Sequence, residues 1–223
     1  MHITRKIFLF VYHNELTRTK ESYESFENSL SKLSNENFEV FKNKIITQGY
    51  PDPRGLRDYP AMNSIRNELY GYKFLEKEGY ENIEFIPESD KTNDKTPDLR
   101  ARKDGEPDAL LEVKTIFPSD EDMEGWKKLW ENPNTPEWLE PSVGIEEGLW
   151  HKVEIDIKVA IEQLDGYSQK GNNRKIIFLV ISLDTKKTFN PENWNELERG
   201  LNILTGEYKE YEIIYYQKSF GKG

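Results

Sequence analysis

Cysteine is absent from this chain of 223 residues. That removes disulfides and thiolate-held zinc from consideration. Histidine is nearly absent: His2, His13 and His151 are the whole supply, too sparse for a histidine-built metal cluster. No Gly-rich phosphate loop is present, which argues against an NTP-driven engine within the chain. Long apolar runs are missing too. Ile7-Phe8-Leu9-Phe10-Val11 is too short to span a bilayer and lacks the length and cleavage site of a signal peptide. It reads as a strand or a helix start, so no membrane association is expected and the expected location is cytoplasmic. Positive charge is in deficit, since 31 Lys+Arg against 41 Asp+Glu leave a formal net charge of −10. Proteins that coat nucleic acid non-specifically draw affinity from Lys and Arg on phosphate, and this balance argues against such a protein. A local basic groove beside an acid-lined site is still compatible with it.

What is present is aromatic. Aromatics make up 13% of the chain, enough to build a core despite 32% charged residues. A wholly disordered chain lacks such residues. The length fits one sizeable domain, or a domain with a large extension.

Residues 1–60 read as an N-terminal helical extension. Phe26, Leu30, Leu33, Phe38, Phe41 and Ile45 recur at roughly helical spacing, which predicts two helices broken near Ser34-Asn35. A loop from Gly49 to Gly55 follows. Residues 61–223 form the main domain. A helix is predicted from Met62 to Glu78, with Asn63 or Ser64 near its cap and Gly79 at its stop. Next come a strand from Ile83 to Ile86, a polar loop over 87–95, and a hairpin over 98–115 turning at Asp104-Gly105. Residues 117–150, with Trp126, Trp130, Trp138 and Trp150, are too long for an ordinary connection. They are expected to form short helices as an insertion or flap. The helix His151–Tyr167 has Val153, Ile157, Ala160, Ile161 and Leu164 on one face. A turn at Asn172-Asn173 precedes Lys175–Leu183, whose near-continuous apolar run suits a strand buried on both faces. A helix from Pro191 to about Leu204 and a strand from Tyr211 to Tyr216 complete the chain.

The hairpin carries the chemistry. Its strands contain Thr96-Pro97-Asp98-Leu99-Arg100-Ala101-Arg102 and Leu110-Leu111-Glu112-Val113-Lys114. Glu112 and Lys114 are two apart on a strand and point the same way. Leu110, Leu111, Val113 and Ile116 mark that strand as buried, and a buried Glu and Lys need partners. Two carboxylates and an ammonium at one end of a hairpin suit phosphodiester hydrolysis. A divalent cation offsets the phosphate charge and lowers the pKa of a coordinated water. Magnesium prefers oxygen ligands, which Asp98, Glu112 and the Val113 carbonyl can provide. Lys114 can orient the attacking water or stabilise charge on phosphate. The bland reading is a turn residue at Asp98 and a solvated strand face at Glu112 and Lys114. Asp108, also preceded by proline, is a rival acid that sits close to Glu112 and reads as closing the turn.

Pro97-Asp98, followed after thirteen residues by Glu112-Val113-Lys114, resembles the signature of the PD-(D/E)XK nuclease superfamily. The resemblance implies an α/β fold with a restriction-endonuclease-like αβββαβ core, a mixed central sheet flanked by helices. The matching order of elements runs from residue 62 to 183, about half the chain, and leaves 1–60 and 117–150 unexplained. It implies an endonuclease acting on DNA with Mg²⁺, for which Mn²⁺ substitutes, and a homodimer, since many relatives cut duplex DNA as dimers. It also implies that Glu68, an acid among Ile65, Tyr72 and Leu75 on the helical wheel, reaches the metal. The alternative is a boundary residue that extends to solvent or pairs with Arg66 or a nearby lysine. Gln163, at the edge of its helix's apolar stripe near Asp156 and Val159, either contacts substrate or the attacking water as in some relatives, or is an ordinary surface amide. Lys158 reads as a surface charge. Arg100 and Arg102 contact phosphate or solvate the strand, and Arg54, Arg57 and Arg66 line a groove or the plain surface. The tryptophans stack on bases or pin the insertion. Two competing functions are a non-catalytic binding module on the same fold and a nuclease for RNA or for branched or single-stranded DNA.

Overall fold

The computed structural model describes residues 28–48, 59–87, 96–116, 147–167, 173–181 and 191–217. The apolar run 7–11, the loop 49–55 with Arg54, Arg57, the polar loop 88–95, Asn172 and the short helices expected over 117–146 lie outside them. The described elements are α1 (Asn35–Gln48), α2 (Tyr59–Lys77), β1 (Glu81–Phe85), β2 (Leu99–Arg102), β3 (Ala109–Ile116), α3 (Glu147–Tyr167), β4 (Arg174–Ile181), α4 (Pro191–Glu207) and β5 (Glu212–Gln217). No described helix is long and apolar enough to cross a membrane.

The molecule is an α/β protein with one five-stranded mixed sheet in the order β1-β2-β3-β4-β5. β1, β2 and β3 pair antiparallel, whereas β3, β4 and β5 pair parallel. Parallel neighbours need long crossovers, and α3 and α4 lie in those two connections. Ile176 to Ile181 on β4 offer no polar position, and all six side chains are buried between two apolar layers. On one side Ile176, Phe178 and Val180 join Leu111 and Val113 beneath α1 and α2. On the other, Ile177, Leu179 and Ile181 join Leu110 and Ile116 beneath α3 and α4.

Local signals set the element ends. The Ser34 hydroxyl accepts the Asn37 amide at 3.2 Å, so Ser34 caps α1, where the sequence predicts the break. Helix α2 begins at Tyr59 rather than Met62. Asn63 and Ser64 therefore lie inside it and do not cap it. Gly79, with φ 81°, ends it in a Schellman turn, with Gly79 N donating to Glu76 O and Tyr80 N to Leu75 O. Helix α3 begins at Glu147 rather than His151. Trp150 is thus a helix residue, and it packs into the α3–α4 core rather than belonging to the inserted segment.

Two contacts bring the helices down onto the sheet. Gly71 gives up helix propensity, which costs about 1 kcal/mol against alanine. A Cβ there would lie 2.9 Å from both Leu111 Cδ2 and Val113 Cγ2, so α2 approaches β3 only because Gly71 has no side chain. Helix α1 is pinned by Asn37, which donates to Ile83 O at 2.6 Å and accepts from Phe85 N at 3.0 Å. A side-chain amide thus satisfies the open edge of β1. Phe41 and Ile45, on the same face of α1, are buried in the core with α2. This part of the N-terminal extension belongs to the core of the domain.

Candidate functional site

β2 is short. It begins at Leu99, opposite Leu111, while β3 continues to Ile116. Beyond Leu111 the β2 side of β3 lacks a strand partner, and Asp98 fills that place. Its Oδ2 accepts the Val113 amide at 2.9 Å, and its backbone carbonyl accepts the Ile86 amide at 2.9 Å. Asp98 is therefore held between β1 and β3 by a hydrogen bond to each.

The α3 face supplies Glu112 and Lys114. Glu112 is 2% exposed. Its Oε1 pairs with Lys114 Nζ at 2.8 Å, while its buried Oε2 has no hydrogen-bond partner among the described residues. Lys114 also donates to Gln163 Oε1 at 2.7 Å. Gln163 in turn donates from Nε2 to the Thr96 carbonyl at 3.1 Å. Gln163 is thus no ordinary surface amide, because it ties Lys114 to the segment that leads into Asp98.

The α2 face supplies Glu68, and α1 supplies a residue that sequence reasoning missed. Lys44, 5% exposed, lies 2.8 Å from Glu68 Oε2 and 3.1 Å from Asp98 Oδ1. Glu68 does not extend to solvent; it pairs with a lysine, Lys44, which is one form of the alternative to a metal role given above. Lys44 stands one turn beyond Phe41 and next to Ile45, at the edge of the buried stripe, and only the docking of α1 brings it to Asp98.

Three acids share two ammoniums, and the electrostatics follow from that imbalance. Burial opposes charge on Lys44, but Asp98 and Glu68 outweigh it and hold the ammonium above the ordinary lysine range. Burial pushes Glu68 well above the usual carboxylate range; Asp98 adds to this, and Lys44 opposes it. Both shifts are upward, which favours a charged ammonium on Lys44 and a protonated carboxyl on Glu68. Lys44 stays charged because several acids surround it, and the surplus proton affinity falls on the glutamates. Glu112 is pushed up to about 8 by burial and by Asp98, against the pull of Lys114. Asp156 on α3 is also raised by burial, with Lys114 pulling it down, so Lys114 feels acids from two elements.

No group of three or more His, Cys, Asp or Glu among the described residues is arranged to hold a metal. The acids close on ammoniums instead. The donor chemistry nevertheless fits a hard divalent ion. It is all oxygen, it carries more acid than base, and it includes a buried carboxylate oxygen without a partner. The remaining charges near the hairpin lie elsewhere. Arg100 pairs with Glu84, Arg102 with Asp108 and Lys158 with Glu154, all at the surface. Asp108 thus closes the turn end of the hairpin, as its position predicts.

Comparison with protein-family models and with curated proteins finds no match for this chain.

Proposed function

We propose that this chain is a metal-dependent endonuclease of the PD-(D/E)XK type, with a restriction-endonuclease-like core, hydrolysing phosphodiester bonds of DNA. The observation that carries the reading is the buried Glu112, with one oxygen on Lys114 and the other unpartnered, beside an Asp98 anchored on the Val113 amide. A structural ion pair has no need of a spare buried oxygen, whose desolvation costs about 1–3 kcal/mol or more.

Asp98, Glu112 and the Val113 carbonyl are the groups that would hold one Mg²⁺, or Mn²⁺ in its place. Bound there, the ion offsets phosphate charge and lowers the pKa of water. Glu112 would have to be ionised to ligate such an ion, so its burial-raised pKa sets the proton it would release. Lys114, steered by Gln163, directs its ammonium at the attacking water or at a phosphate oxygen. Glu68 acts on Asp98 through Lys44. DNA as substrate and a homodimer as the working form follow from the motif resemblance. RNA or branched DNA is the alternative substrate.

The Lys44 bridge favours one other reading, a binding module whose acids serve structure. Incubation with supercoiled plasmid, duplex, single strands and RNA, in Mg²⁺, Mn²⁺ or chelator, separates the two. The nuclease reading predicts metal-dependent cleavage that Asp98→Ala abolishes and Lys114→Ala lowers by about 10²–10³-fold. Cleavage that survives both changes contradicts the site, and binding without cleavage supports the module.

A further inference from the structure

We infer that Lys44 is a built-in second cation: its ammonium fills the position between Glu68 and Asp98, so the site takes a single divalent ion. The inference rests on the nuclease reading above. Two carboxylates from different elements facing each other form a natural bridging site for a metal. Here their facing oxygens lie 2.8 and 3.1 Å from one nitrogen. Magnesium bound between them would stand about 2.0–2.1 Å from each oxygen. One pair of oxygens cannot hold both cations in that space.

The ammonium is not a loose side chain that happened to fold inward. Asn37, two turns earlier on α1, is locked to the β1 edge through both ends of its amide. Phe41 between them and Ile45 just beyond Lys44 anchor α1 in the core. Lys44 is therefore delivered to a fixed point, and its burial leaves its charge little solvent to rely on. Losing it would leave Glu68 and Asp98 facing each other without a counter-ion inside the protein. A lysine differs from a metal in being permanent. It keeps Glu68 and Asp98 oriented at any metal concentration, and it makes α1 part of the site rather than an appendage. Lys44 is thus a positioning residue that acts through Asp98 on the ion held by Asp98 and Glu112.

Counting Mn²⁺ bound per folded chain, by calorimetry and by electron paramagnetic resonance, tests this. The wild type is expected to bind one ion, Lys44→Arg one, and Lys44→Met two, the second giving a spin-coupled pair. Two ions in the wild type, or one in Lys44→Met, overturns the assignment while leaving the nuclease reading intact. No ion in any variant overturns both. Where circular dichroism shows Lys44→Met unfolded without metal, its refolding in Mn²⁺ decides: recovery with two ions bound is expected, and no recovery overturns the assignment.

Discussion

The two ends of the β2–β3 hairpin use the same residue types to opposite effect. At the turn end, Lys103 pairs with Glu106 at 2.7 Å and Arg102 with Asp108 at 3.6 Å, and every member is at least one-third exposed. Such pairs are worth about 0–1 kcal/mol and mainly keep the strand ends in water. At the open end, Lys114 pairs with Glu112 at 2.8 Å, and the carboxylate side chain is 3% exposed. Burying that pair costs more than the attraction reliably returns. One hairpin thus shows what a charge does for stability and what it does at stability's expense. The expense concentrates where β2 stops and Asp98 begins.

Lysine replacement breaks the comparison most sharply. Lys114→Ala is expected to lower cleavage by about 10²–10³-fold, the loss typical of removing one charge-stabilising donor. Lys103→Ala, at the other end of the same strands, is expected to leave the rate within about twofold. Rates measured on a nicked-plasmid assay compare the two directly.

The pH dependence of stability is the next largest effect. Glu112 is raised from the ordinary 4.5 to about 8, so the fold prefers it protonated. Its favourable contribution is complete below pH 4.5 and is lost as pH rises through 8. Urea unfolding of Glu112→Gln against wild type is expected to show a stability difference that shifts toward the variant across that window, by on the order of a few kcal/mol. A flat difference would contradict the burial of an ionisable acid here. If the site holds a divalent ion as proposed, its affinity is expected to rise over the same window, since a ligating carboxylate must be ionised.

Helix placement comes third. Gly71→Ala forces a Cβ against Leu111 and Val113, which costs about 1–3 kcal/mol by overpacking. That outcome reverses the usual gain from alanine in a helix, and a lowered Tm checks it. Smallest of all, Arg102→Ala is expected to change stability by no more than about 0.5 kcal/mol.

Much of this was legible in the sequence, for identifiable reasons. The apolar run on β4, the face of Val153, Ile157, Ala160 and Leu164, and the Asp104-Gly105 turn are local patterns, and each became the element it predicts. Glu112 and Lys114 share a face because strands alternate, which needs no tertiary knowledge. The Asp98–Val113 bond follows from where β2 ends, which a hairpin register nearly specifies. Lys44 was not legible. It meets Asp98 across 54 residues of chain, and a lysine beside Phe41 and Ile45 reads as a helix-edge charge until α1 is docked. That docking depends on Asn37 and the β1 edge, a contact that no periodicity announces. The starts of α2 and α3 also ran earlier than predicted; in α3 the early turn carries Leu149 and Trp150, which pack into the α3–α4 core.

One aspartate at each end of the hairpin gives the most direct test. Asp98→Asn and Asp108→Asn remove the same charge at opposite ends of the hairpin, one beside β3 and one at the solvent-facing turn. With supercoiled plasmid and Mg²⁺, the account predicts that Asp98→Asn abolishes cleavage while Asp108→Asn cuts at the wild-type rate. Equal activity of the two variants, or cleavage by Asp98→Asn alone, would contradict it.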